Sequence, residues 1–211
     1  MWTRRHVGQI ALICMIGLVL GSRQPSAASN LDPEDIADLN RVSAYLNDLG
    51  SLEGQFIQIA SNGVQDSGTF YFRRPGGLRF EYDEPNPILI IANNSWVVLN
   101  DRKLKTVDRF PISATPLKLL LKKHIDLANE ANIVSVEREP GSLLITVRED
   151  KGPAQGQLTM IFSDPALELM QWIITDAQGF TTTIALRDLR RDTKISPRLF
   201  RIDEAQPFRR R

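Results

Sequence analysis

The stretch that decides the fold is GTFYFRRPGGLRFEYD, residues 68–83. Apolar side chains occupy every second position in each half of it: Phe70 and Phe72, then Leu78, Phe80 and Tyr82. This period of two is typical of β-strands with one apolar and one polar face. Pro75-Gly76-Gly77 separates the halves and favours a tight turn. The stretch therefore predicts a hairpin whose apolar face needs a cover.

Similar short runs follow this hairpin, are punctuated by glycine-containing turns, and predict further strands. These runs are Ile88–Ala92, Trp96–Leu99, Ile133–Arg138, Leu143–Arg148, Gln157–Ser163, Leu169–Thr175, Phe180–Leu189 and Leu199–Ile202. Asn93-Asn94 suits a type I′ turn between two of them. The pattern indicates an antiparallel meander of about eleven strands, and a sheet of that length curls or closes.

Two segments have helical rather than strand patterns. Residues 32–49 combine an apolar stripe at helical spacing with Asp32 as N-cap, Pro33 as the first helical residue and Asp35 in a capping box. A short leucine-rich helix is predicted to begin after Thr115 as N-cap, with Pro116 first, and to end near Lys122. Either helix could cover the open mouth of a curled sheet.

The N-terminus has the pattern of an export signal. Arg4 and Arg5 precede an apolar run from Ile10 to Leu20, which is too short to span a bilayer. Ser26-Ala27-Ala28 offers small residues at a cleavage site, so we expect residues 1–28 to be a cleaved signal peptide and residues 29–211 to form one domain. Cys14 lies inside the signal, so the mature chain is expected to contain no cysteine.

The composition excludes several function classes. With 42% hydrophobic and 24% charged residues and a net charge of +1, the chain resembles an ordinary soluble domain with no nucleic-acid partner. His124 is the one histidine after the signal, and no nucleophile elbow, phosphate loop or metal-ligand spacing occurs. We expect no catalysis, no cofactor and no metal.

The aromatic residues and Arg74 each allow two interpretations. The aromatics could fill a solid β core, or they could line a cavity for an apolar ligand on a curved sheet. Arg74 falls on the same face as Phe70 and Phe72 by alternation. It either lies at a strand end and points to water, or is partly buried and donates to backbone carbonyls of a covering helix.

Several of these segments resemble the periplasmic outer-membrane lipoprotein carrier family, LolA. The resemblance rests on the stretch 68–75, on Leu78-Arg79-Phe80-Glu81-Tyr82 with Pro85, and on Phe56-Ile57-Gln58 and Thr115-Pro116-Leu117. It covers essentially the whole mature chain. Departures from better-known members include Leu78 in place of an aromatic residue, Phe80 in place of a tryptophan, and Asn93-Asn94 in place of an Asp-Gly turn.

The resemblance implies an incomplete, highly curved antiparallel β-barrel closed by a helical lid. In that family the cavity takes the acyl chains of lipoproteins, the arginine matching Arg74 latches the lid, and the residue matching Leu78 contacts the transporter. The cavity residues implied here are Phe56, Phe70, Phe72, Leu78, Phe80, Tyr82, Trp96, Leu117 and Leu120.

The expected function is that of a soluble, monomeric periplasmic chaperone. It would accept acylated lipoproteins from an inner-membrane ABC transporter and deliver them to an outer-membrane acceptor. The alternative is a lipoprotein-sensing regulatory module on the same scaffold.

Overall fold

The computed structural model describes residues 31–152 and 154–202. The predicted signal peptide, with Cys14 and the cleavage site, lies outside the described residues.

A single antiparallel sheet dominates the described chain. Its strands are β1 (Ser51–Ala60), β2 (Gln65–Arg73), β3 (Gly77–Tyr82), β4 (Ile88–Ala92), β5 (Trp96–Asp101), β6 (Thr106–Pro111), β7 (Ile133–Glu139), β8 (Ser142–Glu149), β9 (Gly156–Ser163), β10 (Leu169–Asp176) and β11 (Thr181–Arg191). The spatial order is β6-β5-β4-β3-β2-β1-β11-β10-β9-β8-β7, which leaves β6 and β7 as unpaired edges. The sheet is curled and unclosed, which confirms the predicted fold class.

The number of strands agrees with the prediction, but one predicted strand is absent and one observed strand was not predicted. Leu199–Ile202 does not form a strand, because the chain forms a 3₁₀ helix over Pro197–Phe200 that begins at Ser196, whose hydroxyl accepts from the Arg198 N–H. Strand β6 was missed, because an edge strand that is mostly exposed carries no alternating apolar signal.

Helix α1, Pro33–Asp48, forms as the sequence predicts. The Asp32 carboxylate accepts the Asp35 N–H at 2.8 Å, and the Asp35 carboxylate accepts the Asp32 N–H at 3.3 Å. This reciprocal pair satisfies two of the amides that a helix start leaves without partners. One face of the helix buries Leu39 and Leu46 against the sheet.

The predicted type I′ turn at Asn93-Asn94 does not form. Strands β4 and β5 are joined by the three residues 93–95, and neither asparagine is among the described residues with positive φ. The Asn93 side chain instead accepts from the N–H groups of Ser95 and Trp96, both at 3.0 Å. This side-chain bond turns the chain without left-handed backbone.

The apolar side chains of the hairpin meet on the inner face of the sheet. Phe56 contacts Phe80 and Tyr82 edge-on, with ring centroids 4.8 and 5.0 Å apart. Gly68, opposite Phe56 in the register, makes room for this packing. A Cβ at Gly68 would lie 2.7 Å from the Phe56 ring and 2.2 Å from a backbone oxygen of Glu81.

Tyr82 combines this apolar packing with one polar contact. Its hydroxyl donates to Gln58 Oε1 at 2.6 Å. Burial raises the pKa of Tyr82 to about 12, and the negative charge of Asp66 adds to the increase. The folded protein therefore holds this phenol neutral where a free tyrosine, with a pKa of 10.0, would ionise.

We predict a loss of stability between pH 10.0 and about 12 from this residue, because the unfolded tyrosine releases its proton while the folded one keeps it. The slope is at most about 1.4 kcal/mol per pH unit. Tyr82→Phe should remove this alkaline loss and cost only about 1 kcal/mol at neutral pH, for the hydrogen bond to Gln58. Urea unfolding at neutral and alkaline pH checks the prediction. Equal alkaline losses in the variant and the wild type would contradict it.

Candidate functional site

Three helical segments cover the apolar inner face of the sheet. They are α1, the single turn α2 (Lys118–Leu121) and the single turn α3 (Leu127–Glu130). The predicted leucine-rich helix is therefore shorter than expected and begins later. Thr115 is not its N-cap, because its hydroxyl donates to the Ile112 carbonyl and a 3₁₀ turn, Ile112–Ala114, precedes it.

A cavity with an entirely apolar lining lies between this helical roof and the sheet. Its roof residues come from the α1 and α2 regions, and its floor residues come from the five strands β1, β2, β3, β10 and β11. The lining is Leu46, Leu49, Leu52, Phe70, Phe72, Leu78, Leu117, Leu120, Leu121, Leu169, Trp172 and Leu186. With no polar group to hold it, water gains nothing by entering.

The cavity is closed in this state. The volume open to the centres of water-sized spheres is about 20 Å³. That is room for about one water molecule. Any chain-like ligand must therefore displace the roof to enter this space.

Arg74 fastens the roof to the sheet. It follows β2 directly, and its guanidinium donates to the Leu46 carbonyl on α1 at 2.5 Å and to the Lys122 carbonyl at the end of α2 at 2.5 Å. A third bond reaches Asn47 Oδ1 at 3.3 Å. One side chain thus joins the sheet to α1 and to the end of α2.

The position of Arg74 is half-buried, and this limits the strength of the fastening. Removal from water lowers the pKa of the Arg74 guanidinium. Hydrogen bonds from a charged donor stabilise by about 1.5–3 kcal/mol each, and part of that gain offsets the desolvation of the charge. The hydrogen bonds from Arg74 are therefore of moderate strength, and its role as a lid latch stays a prediction.

Comparison with known proteins identifies the architecture. A family model described as "Outer membrane lipoprotein carrier protein LolA" matches residues 47–203. The chain belongs to the LolA family.

Individual relatives are distant but extend over most of the chain. An outer-membrane lipoprotein carrier protein of Pseudomonas aeruginosa is 26% identical over 187 residues, which are 83% of this chain and 88% of the relative. One of Alkalilimnicola ehrlichii is 29% identical over 180 residues, 81% of this chain and 79% of the relative. A crystal structure of a DUF1329 family protein from Desulfovibrio piger shares the fold, with a TM-score of 0.51 at 12% identity over 80% of this chain and 96% of that one.

The cavity contains five of the nine residues that the LolA resemblance assigned to it: Phe70, Phe72, Leu78, Leu117 and Leu120. Three more, Phe56, Phe80 and Tyr82, lie deeper in the same apolar cluster without lining the cavity. Leu78 is 3% exposed, so it can touch a partner protein only after the roof moves. Its assignment as a partner contact stays a prediction.

The assignment of Trp96 to the cavity was wrong. Its neighbour Val97 belongs to the core cluster, so the alternation of a strand turns Trp96 to the opposite face. There Trp96 is 40% exposed and lies under the guanidinium of Arg109, 5.5 Å from the ring centroid. A continuous apolar run does not reveal which of two neighbours points inward.

Asn47 and Ser43 on α1 were missed by the sequence analysis. The Asn47 amide donates to the Ile125 carbonyl at 2.7 Å and accepts the Ile125 N–H at 2.9 Å. The Ser43 hydroxyl accepts the Leu127 N–H at 3.0 Å. These bonds join α1 to the segment that leads into α3, and Asn47 Oδ1 is shared between Arg74 and the Ile125 N–H. No local pattern marks such residues, because their partners lie about eighty positions away.

Among the described residues, no helix is both long and apolar enough to cross a membrane. Within residues 31–152 and 154–202, no group of three or more His, Cys, Asp and Glu side chains could hold a metal ion.

We predict that Asn47→Ala loosens α1 from the segment entering α3, because both bonds to Ile125 are lost at about 1 kcal/mol each. Amide hydrogen exchange at Ile125 should accelerate by about tenfold or more. Asn132→Ala, which removes one exposed side-chain bond to Asp150 beside the same roof, is the matched control and should leave that exchange unchanged. Unaltered protection of Ile125 in Asn47→Ala would refute this role.

Proposed function

We propose that this protein is a carrier that binds the acyl chains of lipoproteins in the cavity beneath α2. The observation that carries the proposal is a wholly apolar cavity whose roof is held by hydrogen bonds from one arginine. A site of this kind stabilises a hydrocarbon chain without fixing its chemistry. It offers no group for catalysis, and the proposal includes none.

The energetics fit a carrier. Each methylene group removed from water contributes about 0.8 kcal/mol, so burying one sixteen-carbon chain contributes about 12 kcal/mol. An acylated protein left in water would bear that cost throughout its passage. A cavity that closes over its own leucines when empty opposes entry by the closing energy of the lid, which keeps binding reversible.

The direction of transport is the second part of the proposal. Membership of the LolA family and the similarity to outer-membrane lipoprotein carrier proteins support delivery to the outer membrane. The predicted signal peptide supports a periplasmic location for the mature chain, where it would receive cargo from an inner-membrane ABC transporter. One molecule of this protein would carry one lipoprotein at a time.

Native mass spectrometry tests the binding step directly. The mature chain, residues 29–211, is mixed with a triacylated lipoprotein and with the same lipoprotein after removal of its acyl chains. We expect a one-to-one complex with the acylated form only, because the cavity recognises hydrocarbon. Equal binding of both forms, or of neither, would refute the proposal.

We further predict that Arg74→Leu shifts the lid towards open and impairs hand-off of bound cargo. Arg73→Leu is the matched control. It is the same substitution at the adjacent residue, which is exposed, and it leaves the bonds of Arg74 to the roof in place. An in vitro assay that follows release of a loaded lipoprotein to outer-membrane acceptor measures the effect. Unchanged uptake and release by Arg74→Leu would exclude the latch.

The same assay separates the carrier from a lipoprotein-sensing module. Both would form the acyl-dependent complex, but only a carrier passes its cargo to an acceptor membrane. Stable binding with no transfer by the wild-type protein would favour the sensor.

A further inference from the structure

A second, larger space lies on the far side of α2 from the cavity. This groove has a volume of about 340 Å³ on the same measure that gives about 20 Å³ for the cavity. Its walls are the outer side of the α2 region, the end of α3 and the ends of β8 and β9. We call it the lid groove, and we define it by Lys118, Leu119, Lys122, Glu130, Glu149 and Leu158.

The single turn α2 is the partition between the two spaces. Leu117, Leu120 and Leu121 line the cavity, whereas Lys118, Leu119 and Lys122 line the lid groove. The floor of the groove also touches the core, because Leu158 is buried in the main apolar cluster. Displacement of this one turn therefore joins the closed cavity to an open groove.

The chemistry of the lid groove differs from that of the cavity. Its charged residues form two ion pairs along the rim, Lys118 with Glu149 and Lys122 with Glu130. Leu119 and Leu158 supply apolar surface beside them. Such a mixed lining suits a molecule that carries both polar carbonyl groups and apolar carbons. Its ester and amide carbonyls can accept from lysine, while the adjoining carbons contact leucine.

We infer that the lid groove binds the polar junction of the cargo, meaning the glyceryl ester groups and the first peptide units next to the acylated cysteine. This inference rests on the proposed function and deepens it. Acyl chains in the cavity are covalently joined to a polypeptide that must leave the protein. The exit requires a polar path that begins where the cavity ends, and the lid groove begins one helical turn away.

Another groove of the structure serves as a comparison. A space of about 480 Å³ is lined by residues that include Glu53, Gln55 and Tyr71. It lies on the outer face of the sheet, because its residues alternate with the inward Leu52, Phe56 and Phe70. This groove is larger than the lid groove but is separated from the cavity by the whole sheet. Volume alone therefore does not select the exit, whereas adjacency to the cavity does.

Disulfide trapping tests the inference in the full mature chain. The probe is a synthetic tripalmitoylated cysteinyl peptide that carries a second cysteine, activated as a thiopyridyl disulfide, shortly after its acylated residue. Attack by the protein thiolate on this disulfide forms the adduct and releases thiopyridone. Glu130→Cys places a thiol in the lid groove, and Gln55→Cys places one in the comparison groove; both side chains are exposed. The mature chain is expected to have no other cysteine, so each adduct identifies one location.

We expect Glu130→Cys to give an adduct yield about tenfold higher than Gln55→Cys, because a thiol held nearby has a high effective concentration. Equal yields, or a higher yield at Gln55→Cys, would overturn the inference when native mass spectrometry shows both variants loaded. Loaded variants show that the proposed acyl-chain binding survives that result. If neither variant forms an acyl-dependent complex, the proposed function fails and the inference fails with it.

Discussion

The hydrogen bonds from Arg74 to two backbone carbonyls join α1 and the end of α2 to the sheet at one point. Leu46 and Lys122 belong to different roof segments, and the guanidinium beside β2 is where both meet the sheet. A guanidinium has five N–H donors in a rigid fork, so one side chain can serve several acceptors at once. Since the acceptors belong to the backbone, a change of side chain at position 46 or 122 does not remove them. Among side-chain substitutions at these three positions, only one at Arg74 removes the two bonds.

The free energy of the Arg74 hydrogen bonds is smaller than the free energy gained by burying an acyl chain. Two charge-assisted bonds contribute about 1.5–3 kcal/mol each before the desolvation of the guanidinium is subtracted. An acyl chain of sixteen carbons contributes about 12 kcal/mol when it leaves water. In the proposed carrier, burial of the acyl chain outweighs these two bonds, and without a ligand the leucines of the roof fill the space. A permanently open cavity would instead leave its lining without contacts, which costs stability in proportion to the void.

Much of this architecture follows from local patterns, and the remainder depends on long-range contacts. The period of two in residues 68–83 determines which side chains face inward, and the capping residues Asp32 and Asp35 determine where α1 begins. The bonds of Asn47 to Ile125 and the outward direction of Trp96 have no such local cause. The former requires two distant segments to meet, and the latter depends on which of two apolar neighbours the curled sheet selects. Edge strand β6 was missed for a related reason, because neither of its faces is well buried.

The short length of α2 explains how the proposed site could open. Four residues are too few for a stable helix, because nucleation fixes several residues before any hydrogen bond is gained. The turn is therefore held by its surroundings: Leu120 and Leu121 are buried in the core, the Lys122 carbonyl accepts from Arg74, and Lys118 pairs with Glu149 on β8. A ligand that replaces Leu120 and Leu121 in the cavity removes the largest of these supports. In the proposed carrier, α2 would lose its main support when the cavity fills, whereas α1 would keep its two bonds to Ile125 through Asn47.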